Sequence, residues 1–238
     1  MKKILFTLLL IPVFVFAQEQ NAFKIYAEGV QLYYQADYNG AIKKFDEAIS
    51  LKSDLKFAYY NRGLAYAKNA AHDEAISDFS TVYTMDSAYS DALLNRANSF
   101  IAIQLYDTAI LDLQKVVQSD AENVDAYKQM GLAFYYMRKY PEANSAYQMV
   151  VDRVPEDYDS WFKKGMANFH FADYENAIVD FTKVLEINDE YYSALDMRGS
   201  AYQKANKIKE ACKDWELAAN KGYTSSQEAL DKFCNTTE

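Results

Sequence analysis

The chain has 238 residues, with 25 Lys and Arg against 34 Asp and Glu, for a formal charge of −9, and half of it is hydrophobic. Such an acidic balance repels phosphate backbones and sets nucleic acid aside as a partner, although the same charge also serves simply to keep an exported protein in solution. Two histidines, two cysteines and no glycine-rich phosphate loop supply neither a nucleophile with its base nor a metal box, so no enzyme, cofactor or metal site is expected.

Residues 1–17 read as a secretory signal peptide. Lys2 and Lys3 precede an apolar run from Ile4 to Phe16, and Val15 and Ala17 are the small residues before a cleavage after Ala17. The run is short of the ~20 residues a spanning helix needs, which weighs against an uncleaved anchor. Losing Lys2 and Lys3 lowers the basic count from 25 to 23 and moves the charge from −9 to −11. The mature form is expected to be periplasmic or secreted, with no integral membrane segment and with residues 18–21 as a short N-terminal tail.

From residue 22 a 34-residue period governs the chain. Gly29, Gly63, Ala97, Gly131, Gly165 and Gly199 keep that step, and Ala41, Ala75, Ala109, Ala143, Ala177 and Ala211 keep it twelve residues later. The units are 22–55, 56–89, 90–123, 124–157, 158–191 and 192–225, and a period of this size marks a stacked repeat. Numbered within a unit, apolar residues fall at positions 4, 8 and 11 and again at 20, 24 and 27, so each half is an amphipathic helix and each unit a helical hairpin. Position 24 is always large: Phe45, Phe79, Leu113, Tyr147, Phe181 and Trp215. Small residues at 8 and 20 let the two helices approach closely.

Short turns such as Gln35-Ala36-Asp37 and Lys139-Tyr140-Pro141 join the helices, the proline standing where its missing N–H costs nothing. Ser53-Asp54, Asp86-Ser87, Ser119-Asp120 and Asn188-Asp189 separate the units, and such residues favour helix starts. Seven glycines and three prolines leave no flexible linker.

At the C-terminus Gly222 is placed to end one helix, and a last helix over 224–235 returns antiparallel. Cys212 lies ten residues before Gly222 and Cys234 twelve after it, so at ~1.5 Å per residue the arms nearly match and a disulfide is expected. A redox-active pair would show the short Cys-x-x-Cys spacing, which is absent. Ala229, Leu230 and Phe233 share one side of this helix, which reads as a cap on the sixth unit.

Aromatic Tyr59, Tyr127 and Trp161 at position 4, Gly at 8, Tyr66, Phe134 and Tyr202 at 11, Tyr38, Tyr106, Tyr140 and Tyr174 at 17, Ala at 20 and Pro155 at 32 form one pattern. In it the chain resembles the tetratricopeptide repeat over nearly all of its mature length. Ala97 in place of glycine, Asn168 at position 11 and the single proline at position 32 depart from it. The ending, Ala211-Cys212-Lys213-Asp214-Trp215 with Gly222-Tyr223 and Phe233-Cys234, is similar to those of exported repeat proteins from Bacteroidetes-type bacteria.

The resemblance implies an all-α, right-handed superhelical solenoid of six hairpins plus the capping helix, with a concave groove lined by positions 2, 5, 6, 9, 12 and 13 of each first helix. Carried onto this sequence, the candidate ligand-binding residues are Tyr26, Tyr33, Tyr60, Asn61, Asp91, Asn95, Asn98, Asp125, Lys128, Tyr135, Asp159, Phe162 and Lys163. Tyrosines give large contact area at small entropic cost, but several could equally pack on the next hairpin. Asp91, Asp125 and Asp159 make an acidic ladder suited to a basic segment, or serve only the helix dipole. Of the five positions by which relatives clamp a terminal carboxylate, only Asn61 matches, which disfavours that ligand.

Arg62, Arg96 and Arg198 at position 7 are read as stems lying along the hairpin seam and paired with Asp78, Asp112 and Asp214, ahead of a charged contact strip. His72 is expected to be a packing residue, and His170 stands on the groove side without a partner at ligand spacing. Ser87, in Asp86-Ser87-Ala88, resembles the short O-glycosylation acceptor sites of Bacteroidetes-type exported proteins. The expected function is a non-enzymatic scaffold holding an extended peptide or protein segment within a cell-envelope assembly. The alternative is a carbohydrate- or peptidoglycan-binding accessory module.

Overall fold

The computed structural model describes residues 18–234 in full and residues 4–17 as backbone only, so the side chains of the expected signal peptide lie outside the described residues. Thirteen helices and no strand occur among the described residues. The chain divides into two compact units, residues 1–121 and 122–238.

The first unit holds three hairpins: α1 (Ile4–Tyr34) with α2 (Tyr38–Leu51), α3 (Lys56–Lys68) with α4 (His72–Met85), and α5 (Ser90–Ala102) with α6 (Tyr106–Ser119). The second holds α7 (Val124–Tyr136) with α8 (Tyr140–Arg153), α9 (Tyr158–His170) with α10 (Tyr174–Ile187), and α11 (Tyr192–Lys204) with α12 (Ile208–Ala219), then α13 (Thr224–Phe233). Within each unit, every second helix packs on its own first helix and on the first helix of the following hairpin. Ala41, Ala75, Ala109, Ala143, Ala177 and Ala211 are fully buried at those contacts, as are Phe45, Phe79, Leu113 and Phe181.

One turn is used six times. Position 15, held by Ala36, Ala70, Gln104, Arg138, Ala172 and Asn206, has φ between 58 and 65°. Asp37 N donates to Leu32 O and Ala36 N to Tyr33 O, both at 3.0 Å, a left-handed helix ending that satisfies the last carbonyls.

Two expectations are corrected. Residues 18–21 are not a tail but part of α1: Gln18 Nε2 donates to Leu51 O at 3.2 Å and Lys52 pairs with Glu19 at 2.7 Å, so this turn closes the open end of α2. Ser53-Asp54, Asp86-Ser87, Ser119-Asp120 and Asn188-Asp189 also do not cap the following helices, although Asn123 and Asp157, nearer the helix starts, do cap α7 and α9. Leu55, Tyr89 and Tyr191 occupy those cap positions with no side-chain hydrogen bond, while Asp86 and Asn188 instead accept the N–H of Ala88 and Glu190 inside the loop. Tyr89 and Tyr191 are spent on packing, each ring standing edge-on to that of Tyr60 or Phe162 at 5.1 and 5.2 Å.

At the C-terminus Gly222 turns the chain with φ of 92°, and α13 folds back onto α12. Cys212 and Cys234 are disulfide-bonded with Cα atoms 5.9 Å apart, and Phe233 stacks on Trp215 at 5.8 Å. Ser225 Oγ and Ser226 Oγ both donate to the Asp196 carboxylate of α11, which anchors the start of α13.

Candidate partner-binding faces

The seam arginines are committed to the fold. Arg62, Arg96 and Arg198 each form two hydrogen bonds to Asp78, Asp112 and Asp214, at 2.6 to 2.8 Å. A further nitrogen reaches the second helix of the preceding hairpin, at Asp46, Ser80 or Thr182, so each guanidinium ties two hairpins together. Aromatic rings flank these guanidiniums: Tyr59 and Tyr66 at Arg62, Tyr83 and Phe100 at Arg96, and Tyr202 at Arg198. In α9, Lys164 takes this place against Asp180 at 2.6 Å, and Asn168 completes the carboxylate's shell at 2.7 Å, which accounts for the departure at position 11. Burial pushes the Asp78 and Asp180 carboxyls up, against the pull of these cations.

On the first-helix face of the first unit, two tyrosines and two asparagines are joined across hairpins. Asn61 Nδ2 donates to Tyr26 Oη at 2.8 Å and to Phe57 O at 2.9 Å; Asn95 Nδ2 donates to Tyr60 Oη at 3.0 Å and to Asp91 O at 2.9 Å. Both amide hydrogens are thereby used, and each Oδ1 is left as an uncommitted acceptor. Burial, reinforced by Tyr89 for Tyr26 and by Asp91 for Tyr60, holds both phenols above their ordinary value, so they stay neutral donors. Phe57 is exposed beside them and Tyr89 backs the pair. Tyr33 packs on Tyr34 and Tyr38, Asp91 is exposed, and Asn98 Oδ1 is buried without a hydrogen-bond partner.

In the second unit Tyr135, Phe162 and Lys163 meet around a cavity of about 210 Å³, together with Leu132, Tyr136, Tyr147 and Met166. Tyr135 continues into an aromatic group in which His170 stacks on Tyr140 at 5.4 Å. Lys128 is drawn away to Asp157, the N-cap of α9. Asp125 is exposed, and Asp159 forms a half-exposed ion pair with Lys163 at 2.6 Å, one turn away on the same helix. Tyr89, Tyr191 and Asp157, all at position 34, support the faces and were not singled out from sequence; their common register is the signal that marks them. Among the described residues no three His, Cys, Asp or Glu side chains gather into a metal-binding group, and no helix is long and apolar enough to cross a membrane. Ser87 is exposed in its loop.

A family model described as Tetratricopeptide repeat matches residues 26–90 and 128–193, and a second of the same description matches 91–122. No curated protein matches the chain significantly. Solved structures similar to it include the C-terminal part of a TPR repeat-containing protein from Cytophaga hutchinsonii, at 21% identity over 87% of this chain and 84% of that one, with a TM-score of 0.77. YrrB, described as a TPR protein with an unusual peptide-binding site, aligns at 18% identity over 79% of this chain and 97% of its own, with a TM-score of 0.69. A tetratricopeptide repeat protein from Parabacteroides merdae aligns at 19% identity over 90% and 82%, with a TM-score of 0.63. At these identities the likeness is one of fold.

Proposed function

This chain belongs to the tetratricopeptide repeat family, and from that premise we propose that it is a non-enzymatic scaffold whose first-helix faces hold an extended peptide or protein segment. The observation that carries this reading is the repeated Tyr–Asn pair. Tyr26 with Asn61 and Tyr60 with Asn95 present the same neutral donor and the same free amide oxygen from successive hairpins. An extended backbone offers N–H and C=O groups at regular intervals, and acceptors fixed in advance lower the entropic cost of engaging them. Phe57, and in the second unit the cavity at Tyr135 and Phe162, offer places for apolar side chains.

The disulfide fits an oxidising compartment, which supports a periplasmic or secreted protein working in a cell-envelope assembly. A sugar-binding module is the second reading, favoured only by the exposed rings of Tyr34 and Tyr136. Probing the purified protein on peptide and glycan arrays separates the two. Peptide binding that weakens in Asn61→Ala and Asn95→Ala supports the scaffold; glycan binding lost in Tyr136→Ala supports the alternative.

A further inference from the structure

Positions 7 and 23 face each other across the seam of each hairpin. In five of the six they are oppositely charged: Glu28 with Lys44, Arg62 with Asp78, Arg96 with Asp112, Lys164 with Asp180 and Arg198 with Asp214. In the α7–α8 hairpin they are Met130 and Ala146, and the seam opens into a cavity of about 380 Å³. Tyr127, Phe134 and Met149 complete its apolar wall. Glu142 is exposed and is the one charged residue among those that line the cavity.

We propose that this seam is a second docking site, separate from the first-helix faces, for a partner segment that presents one large apolar side chain with a Lys or Arg beside it. Where the other hairpins close the seam with a charge pair, this one lines it with a thioether and a methyl, which cannot satisfy a polar group but suit a Leu, Met or Phe anchor. The volume lies at the lower end of that of ligand pockets, and flexible methionine walls adapt to the shape of the guest. Arg153 lies against the wall at Tyr127 and Met149 but is paired there with Glu122 at 3.0 Å, so Glu142 selects the flanking residue. Glu142 repels an acidic segment and attracts a basic one, in the same sense as the net charge of −9.

The test uses fluorescein-labelled, alanine-based helical peptides carrying one Leu with a Lys one turn away, one Leu with a Glu, or Ala with Lys. They are titrated into the whole protein, into Met130→Arg/Ala146→Asp, which rebuilds the charge pair of the other seams inside the cavity, and into Glu142→Lys. The wild type should bind the Leu/Lys peptide at least about tenfold more tightly than the other two. The rebuilt seam should lose that binding, and Glu142→Lys should invert the preference toward the Leu/Glu peptide. If the rebuilt seam fails to fold by circular dichroism, Glu142→Lys, an exposed substitution, decides alone. No binding by the wild type, equal binding by the rebuilt seam, or an unchanged preference in Glu142→Lys overturns the proposal. So does self-association that only the rebuilt seam abolishes while no peptide binds, which would make a second copy of the chain the occupant.

Discussion

Gly63 and Phe79 are in such close contact that a Cβ placed on Gly63 would lie 2.8 Å from Phe79 Cε1. The same closeness recurs at Gly29 with Phe45, Gly131 with Tyr147, Gly165 with Phe181 and Gly199 with Trp215. The α5–α6 hairpin reverses the arrangement, with Ala97 and Leu113 both fully buried at the equivalent positions. A methyl on the first helix and a ring on the second are alternatives for one volume. Gly63→Ala should therefore cost about 1–3 kcal/mol by overpacking. Combined with Phe79→Leu, it should cost clearly less than the two single changes added together, since the pair then copies Ala97 and Leu113. Urea unfolding of the four proteins measures this, and simple additivity would contradict it.

The seam pairs make a similar prediction for charge. Asp112→Ala leaves Arg96 mostly buried with its main partner gone and should destabilise the protein by about 3–5 kcal/mol. The double change Arg96→Met/Asp112→Ala reproduces the natural Met130 and Ala146 and should recover most of that loss. A double variant as unstable as Asp112→Ala would show that the seam depends on charge itself and not on avoiding an unpaired one.

Loss of the disulfide should act locally. Cys212→Ala/Cys234→Ala is expected to cost about 3 kcal/mol for a loop of this size, felt chiefly by α13. Amide exchange should quicken across Thr224–Phe233, and the Trp215 fluorescence should change as Phe233 leaves its face, while α1–α6 keep their protection. Uniform loss of protection would contradict the local role.

Asp157 gives a pH dependence. It caps α9 through Ser160 N at 3.3 Å and Ser160 Oγ at 3.0 Å, and it pairs with Lys128. Burial pushes its carboxyl up, but Lys128 and the Ser160 bonds outweigh burial and hold it below its ordinary 3.8. A carboxyl whose folded pKa is depressed contributes stability that is present above its unfolded value and is lost as pH falls through the folded one. Asp157→Asn keeps the cap and removes the charge. The wild type should thus be the more stable near neutral pH, with the gap closing as pH falls from 3.8 downward. A gap independent of pH would contradict the assignment.

The helices were legible because a 34-residue period leaves little freedom. Once Gly63 and Ala75 mark the two halves of a hairpin, the seam pairs Arg62–Asp78 and Arg96–Asp112 follow from a constant separation. What escaped depends on neighbours more distant in sequence. The Asn61–Tyr26 bond joins adjacent hairpins, and neither residue type demands the other. Tyr89 and Tyr191 sit where Ser or Asp would cap a helix, and the edge-on rings of Tyr60 and Phe162 are among the packing contacts that explain the exchange. Gln18 and Glu19 look like a tail because their partners, Leu51 and Lys52, lie 33 residues on, at the far end of the same hairpin.

The most direct test of the scaffold reading is crosslinking and mass spectrometry on the tagged protein in its own cell envelope, beside a folded Asn61→Ala/Asn95→Ala variant. The account predicts that one protein segment crosslinks to the first-helix face around Phe57 and Tyr60 in the wild type and is lost in the variant. Identical protein crosslinks in both, or glycan fragments in place of protein, would contradict it.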